Sequence, residues 1–418
     1  MAFRRVAVVG AGIVGLSTAW FLQERGVSVT VVDRSGVAAD SSWGNAGWLA
    51  PALTLPLPEP AVLRYGLGAV LRSSSPVYVP PTADPRLLRF LVDFARHCTD
   101  RHWSASMRVF ARANRVALGA YDALAAGGVR EPTRTADPFL AVFTSETERA
   151  ELLDEFDRVR AAGGEVACDP VDAEALHTMV PILGTRARAG VRIHGQRFID
   201  PPRFTAALAE SVRERGGDVL APFDVTEVRD PGNGVVDVVG DAGRAVSVDA
   251  VVLATGARLN SLAHGFGVRV PVQAGRGYSF AVEPSALDTG ELPTNPVYFP
   301  VQRVACTPLH DRFRVAGMME FRSPDAPLDP RRIHAIVDAV RPLMPHLDWQ
   351  MRTDEWVGSR PCTADGLPLV GSTRSPRVFV AGGHGMWGVA LGPLTGRLLA
   401  DAMSGEPDPL LQHFDPLR

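Results

Sequence analysis

The stretch VVGAGIVG places Gly10, Gly12 and Gly15 in the GxGxxG spacing between a Val-rich run, Arg4–Val9, and a helically spaced apolar run, Ile13–Arg25. Gly26 then marks a helix stop, and Val27–Val32 reads as a second buried strand that ends on Asp33. A strand–helix–strand unit of this kind implies a parallel sheet with a right-handed crossover. The first glycine suits a tight turn, the second a close backbone approach to a pyrophosphate, and the third close packing of helix on strand. The start of the helix offers free N–H groups and a positive dipole end to phosphate oxygens. Asp33 can accept hydrogen bonds from adenosine ribose hydroxyls and would repel a 2′-phosphate. Gly10, Ala11, Gly12, Ile13, Val14, Gly15, Asp33 and the adjoining Arg34 are therefore candidate dinucleotide contacts.

A length of 418 residues suggests two or three domains, at ~150 residues each. Charge is nearly balanced, with 43 Lys plus Arg against 46 Asp plus Glu, so a general nucleic-acid or anionic-membrane binder is not expected. Every one of those 43 cations is Arg. Without lysine, pyridoxal Schiff-base chemistry, Schiff-base aldolase chemistry and a Walker A phosphate site are excluded. Cys98, Cys168, Cys306 and Cys362 form no CxxC pair, which removes the usual zinc, iron–sulfur and dithiol signatures and fits a reducing compartment. Arg4-Arg5 before an apolar stretch imitates a twin-arginine or secretory signal, but the glycines inside it favour a folded element.

Further along, the Pro-rich stretch 51–85 reads as an ordered loop with a short helix near 62–71. Helices are predicted over Arg86–Cys98, Ser104–Ala126, Glu146–Ala162, Pro202–Arg215 and Pro330–Arg341, and from the 382–388 turn to about Met403. Asp200 before Pro201 is an expected helix cap. Strands are predicted at Phe139–Phe143, Asp218–Leu220, Asp224–Arg229, Asp249–Gly256 and Arg377–Ala381, with a hairpin over Val235–Val248 and alternating strands within Val270–Phe321.

The nature of the dinucleotide depends on this remainder. The strand-turn DAVVLATG, which ends at Thr255-Gly256, suits a backbone passing a cofactor, or equally a buried strand with a Gly cap. Ser41-Ser42-Trp43-Gly44-Asn45-Ala46-Gly47 is small and polar, fit to wrap a cofactor or to be an ordinary loop. These segments recur in one order with GRGYSF (Gly275–Phe280), RVAGMMEF (Arg314–Phe321), GSRPCTADGLPLVG (Gly358–Gly371) and AGGHGMWGVALGPLTGRLLADAMSG (Ala381–Gly405). Together they resemble the D-amino-acid oxidase-like family of FAD-dependent amine oxidoreductases, most of all its bacterial D-amino acid dehydrogenases. Departures are Arg276, where those dehydrogenases usually carry Lys, and the bulky Trp48 and Trp387.

The resemblance implies non-covalent FAD, held by the Gly fingerprint and by Ser41, Ser42, Asn45, Ala46, Gly47, Val225, Thr255, Gly256, Gly383, Gly385, Met386, Trp387 and Gly388. It implies that Arg360 anchors the substrate carboxylate, because a planar guanidinium can make two parallel charge-assisted bonds to it. Arg276 and Arg303 are weaker candidates. Tyr278 either hydrogen-bonds substrate or packs in the core. His384 is a proton acceptor, a flavin contact or a packed turn residue. Tyr298 and His310 are lesser pocket candidates. Cys362 does not match the family's flavin-linked cysteines.

The fold expected is α/β: a GR2-type, Rossmann-like FAD-binding domain (1–85, 145–260, 355–418) interleaved with an α+β substrate domain containing an antiparallel sheet (86–144, 261–354). The activity implied is oxidative deamination of a D-amino acid, or of a D-imino acid such as a D-proline derivative. Alternatives are a glycine/sarcosine-type amine oxidase, an FAD monooxygenase and a non-catalytic FAD-binding subunit. The partners implied are a small amino acid and an electron acceptor, quinone or oxygen. The protein is expected in the cytoplasm, with the apolar segment 52–81 as either a peripheral membrane contact or a loop over the active site. Some family oxidases activate oxygen with a lysine at flavin N5, a route that this chain lacks.

Overall fold

A computed structural model describes residues 3–61, 75–286 and 292–418; the helix expected near 62–71 lies outside the described residues. Six strands form the first sheet, in the order Asp218–Leu220, Ser28–Val32, Arg5–Val9, Ala250–Leu253, Val378–Gly382, Leu369–Ser372. All neighbours are parallel except the last pair, an antiparallel hairpin. Strands buried on both faces need continuous apolar runs. Val6, Ala7 and Val8 pair in register with Ala250, Val251 and Val252, all fully buried.

Helices Ile13–Gln23 and Gly388–Met403 pack against each other beside this sheet. Gly392 faces Ile13 and Val14, and Gly396 faces Ser17 and Thr18, where a Cβ would lie 2.6 Å from backbone atoms. The two contacts advance in the same direction along both helices, so the helices run parallel and their N-termini lie together.

The second large sheet follows the order Arg352–Thr363, Val272–Val282, Phe313–Phe321, Val304–Pro308, Val297–Phe299, Phe139–Phe143, Ala189–Ile193, Cys168–Val171. It is antiparallel apart from the Val297–Phe299 pairing with Phe139–Phe143 and a short Val77–Tyr78 strand beside Met319–Glu320. Helix Pro330–Val340 packs on the Val272–Val282 and Phe313–Phe321 strands. Segment 145–260 thus contributes strands to both large sheets.

The predicted helices are present with small shifts. The second long helix begins at Asp100 instead of Ser104 because Thr99 caps it, accepting from the His102 N–H. Asp200 caps helix Pro201–Glu214 as expected. The Val235–Val248 hairpin closes through the turn Asp241–Gly243. No helix among the described residues is long and apolar enough to cross a membrane.

Candidate active site

A cavity of about 870 Å³ opens where the parallel helix N-termini meet the second sheet. Gly10, Gly12, Ile13, Val14 and Gly15 line it at one helix, and Gly385, Met386, Trp387 and Gly388 at the other. Neither helix has a capping side chain from its own N-cap residue. The Ile13 N–H is met instead by the Ser42 hydroxyl, at 3.1 Å. Two positive dipole ends therefore face one space.

The glycine fingerprint is forced by contact. Gly10 has φ +117°, and a Cβ there would lie 2.4 Å from the Ala254 carbonyl oxygen. At Gly15 a Cβ would lie 2.0 Å from the Gly10 oxygen. Asp33 is locked in place: one carboxylate oxygen accepts the Ala11 N–H at 2.8 Å, and the other accepts those of Ser35 and Gly36. Arg34, Ser41, Ser42, Asn45, Ala46, Val225, Thr255 and Gly256 complete this end of the wall. Three expected contacts stand behind it. Ala11 is buried, Gly47 turns against the Ile199 carbonyl, and Gly383 packs on Thr363 and Leu369. Among the described residues the Thr255 hydroxyl and His384 Nδ1 are buried without a hydrogen-bond partner, polar groups that a bound ligand could satisfy. Two helix N-termini, a glycine cradle and orphaned polar atoms fit a dinucleotide with a fused-ring head.

Arg360 stands on strand Arg352–Thr363 and lines the same cavity. Its guanidinium lies against Gly277, where a Cβ would be 2.3 Å from Cζ. Its Nη1 donates to the Met318 carbonyl at 2.6 Å. No carboxylate lies within ion-pair distance of it among the described residues. Burial lowers its pKa, but a guanidinium in a protein keeps its proton. A guanidinium so placed on the cavity wall is suited to bind a carboxylate.

The other candidates separate by strand alternation. A Cβ at Gly277 would point at the Arg360 guanidinium, while Arg276 and the Tyr278 hydroxyl both turn to Glu320, although part of Tyr278 still lines the cavity. Arg276 is 1% exposed and paired with Glu320, so it is not a carboxylate anchor. The Tyr278 hydroxyl donates to the same Glu320 at 2.5 Å and is committed to the core. His384 Nε2 lies 2.8 Å from the Thr395 hydroxyl, and burial lowers its pKa to about 4, so it is a neutral imidazole. Tyr298 and Arg303 line the cavity, whereas His310 sits apart with Glu131 and Arg134. Trp48 also lines the cavity, its indole N–H donating to Thr307 and its ring packed edge-on against Tyr298. The Trp387 indole N–H donates to the Leu55 carbonyl at 2.6 Å, tying the 51–59 segment to the turn.

Sequence reasoning missed Met318, Gly277 and the cavity-facing carboxyls Glu59 and Glu155. Two glycines two residues apart on a strand were the available signal, since they mark a face that something approaches closely.

A family model described as FAD dependent oxidoreductase (DAO) matches residues 5–402. The D-amino acid dehydrogenase of Rhizorhabdus wittichii is 30% identical over 410 residues, covering 96% of each chain. That of Azorhizobium caulinodans is 29% identical over 409 residues, again with 96% of both chains covered. Among solved structures, glycine oxidase from Geobacillus kaustophilus superposes with a TM-score of 0.73 at 20% identity over 99% of both chains. Iminodiacetate oxidase from Chelativorans sp. BNC1 gives 0.71 at 19% identity, also over 99% of both. At such identities the solved structures speak to the fold alone. The match across nearly the whole chain makes this protein a member of the FAD dependent oxidoreductase (DAO) family, with that family's mixed α/β fold.

Proposed function

We propose that this chain catalyses FAD-dependent oxidative deamination of a D-amino acid, or of a D-imino acid such as a D-proline derivative. The observation that carries it is Arg360, a guanidinium on the cavity wall with no carboxylate partner among the described residues. The names of the relatives that match at about 30% identity support the same substrate class. The chain would bind FAD through segments 1–85, 145–260 and 355–418, interleaved with substrate-binding segments 86–144 and 261–354.

Arg360 binds the substrate carboxylate and so orients the α-carbon. FAD, when bound, supplies the two-electron acceptor for the α-hydrogen leaving as hydride. The amine arrives deprotonated, its nitrogen lone pair forms the C=N bond as the hydride leaves, and an N–H proton goes to solvent; water then hydrolyses the imine to the 2-oxo acid, releasing ammonia from a primary amine or opening the ring of a cyclic imino acid. His384, neutral and buried, does not act as a cation in this scheme. The helix starting at Gly388 has its N-terminus at the cavity and would favour negative charge on the FAD ring system seated there. Non-covalent binding is favoured because the Cys362 thiol is 1% exposed and burial pushes its pKa up to about 12. The electron acceptor would be a quinone or oxygen.

The test is anaerobic mixing of FAD-loaded protein with D-amino acids, L-amino acids, glycine and N-methyl amines, followed by flavin absorbance. Bleaching by D-amino or D-imino acids is expected. Bleaching by glycine or sarcosine alone would replace the substrate class, and no bleaching by any of them would overturn the proposal. Timed re-oxidation by oxygen and by a soluble quinone then identifies the acceptor.

A further inference from the structure

The strand Phe313–Phe321 carries one irregularity, and it lies directly at Arg360. Tyr278 pairs with Gly317, but Arg276 pairs with Glu320, so Met318 and Met319 together oppose the single residue Gly277. This is a β-bulge, which bends a strand and re-aims the groups within it. Met318 takes φ +63°, a left-handed conformation unusual for a side chain of this kind. Its carbonyl, turned out of the ladder, accepts from Arg360 Nη1 at 2.6 Å. The Met319 sulfur lies 3.8 Å from the same nitrogen.

The bulge is pinned from both sides. The Met319 N–H donates to the Pro76 carbonyl at 2.7 Å, and Met319 pairs with Val77 in a short parallel ladder. One residue on, Glu320 is fully buried and holds both Arg276 and the Tyr278 hydroxyl. A strained carbonyl held by its surroundings at a ligand site is a preorganising device. Opposite it, Gly277 provides a floor without a Cβ, against which the guanidinium plane lies. Arg360 Nε and Nη2 make no hydrogen bond among the described residues, so that edge is left to a ligand.

We propose that Met318 and Gly277 are positioning residues. The left-handed Met318 carbonyl and the bare Gly277 backbone fix the guanidinium plane of Arg360, so that its Nε–Nη2 edge meets the substrate carboxylate. The proposal rests on Arg360 being the carboxylate anchor of the function proposed above. It separates conformation from side-chain chemistry: the carbonyl acts, and the methionine side chain is dispensable to that act. Glycine at this position keeps the left-handed backbone, whereas valine, branched at Cβ, resists it.

The test compares Gly277→Ala, Met318→Gly and Met318→Val in FAD-loaded protein. Two quantities are read: the dissociation constant of benzoate, followed by flavin absorbance, and the split between KM and kcat for the best substrate of the panel. Flavin content and the thermal midpoint are measured alongside. Gly277→Ala and Met318→Val are expected to weaken benzoate and raise KM by about tenfold or more, the size of one charge-assisted bond, with a smaller change in kcat. Met318→Gly is expected to bind benzoate at least about tenfold more tightly than Met318→Val. Benzoate affinity unchanged in Gly277→Ala, or Met318→Gly as weak as Met318→Val, would overturn the proposal. If Met318→Val does not fold, the Gly277→Ala comparison decides alone. Wild-type flavin bleached by no amino acid would sink the parent function, whereas unchanged variants in a protein that is bleached would sink only this one.

Discussion

The Tyr121 hydroxyl donates to the Val389 carbonyl at 2.6 Å, the very oxygen that Pro393, four residues on in the same helix, has no N–H to reach. A proline inside helix Gly388–Met403 would otherwise leave a buried acceptor unsatisfied in its first turn. Tyr121, 1% exposed and from a helix 268 residues away in sequence, supplies the donor instead. Helix Gly388–Met403 can therefore keep its N-terminus at the cavity. Tyr121→Phe is expected to destabilise the FAD-loaded protein by about 1–3 kcal/mol. Urea unfolding checks the energy, and faster amide exchange around Leu391 would locate it. Unchanged stability would mean that the carbonyl finds another donor.

What the sequence made legible follows from how local each constraint is. The glycine fingerprint could be read because Gly10 and Gly15 are fixed by contacts within one strand–helix unit and its neighbour. Asp200 was legible because a cap is set by residues adjacent in sequence. Arg360 could be singled out only through its motif, since nothing local distinguishes one arginine from another in this chain. Tyr278 and Arg276 stayed ambiguous because alternation says that they share a face, not which face is the core; that is decided by Glu320, more than forty residues away. Strands Cys168–Val171 and Ala189–Ile193 went unread because they are short, one contains Pro170, and their pairing is long-range. The Met318 bulge is a register shift between partners, invisible until both strands are paired.

Glu320 is buried with Arg276 at 3.4 Å and Tyr278 at 2.5 Å, so the trio acts as a buried ionic unit beneath the sheet. Glu320→Gln leaves the Arg276 cation without a counter-charge, although Arg276 still donates to the Ala326 and Pro327 carbonyls. A loss of about 3 kcal/mol is expected. Tyr278→Phe removes one bond to a charged acceptor and should cost about 1.5–3 kcal/mol. Its flavin-reduction rate should stay within a few-fold of wild type, because the hydroxyl is already engaged by Glu320. Denaturant unfolding and rapid-mixing absorbance measure the two. A collapse of that rate with intact stability would return Tyr278 to a catalytic role.

Glu155 presents its carboxyl to the cavity beside Glu59, with Arg303, Arg158 and Tyr298 as its charged and titratable neighbours. Burial first, then the Glu59 charge, holds its pKa above the ordinary carboxylate value of 4.5. A carboxyl with a raised folded pKa binds its proton more tightly when folded, so ionising it costs stability as pH rises above its unfolded value. Glu155→Gln removes that cost. The variant should gain stability relative to wild type between pH 5 and pH 8, with little difference in acid. Thermal midpoints across that range test this, and a gain confined to acid would reverse the assigned sign.

His384 gives the opposite pH signature. Burial lowers its pKa from 6.5 to about 4, and among the described residues the Thr395 hydroxyl alone hydrogen-bonds its ring. The unfolded chain therefore takes up a proton at this residue below 6.5 that the folded chain refuses, and stability falls as pH drops from 6.5 toward 4. Above 6.5 the penalty is absent. The full loss approaches about 3 kcal/mol. His384→Gln keeps a polar group within reach of Thr395 and cannot titrate. The stability difference between wild type and this variant should therefore shrink or invert on acidification by that amount, with other acid-labile groups cancelling in the comparison. In flavin reduction, His384 should add no ionisation to the pH profile above pH 5, because it is neutral throughout that range. A wild-type profile with a limb near pH 6.5 that vanishes in His384→Gln would show instead that the imidazole gains access to protons when substrate is bound.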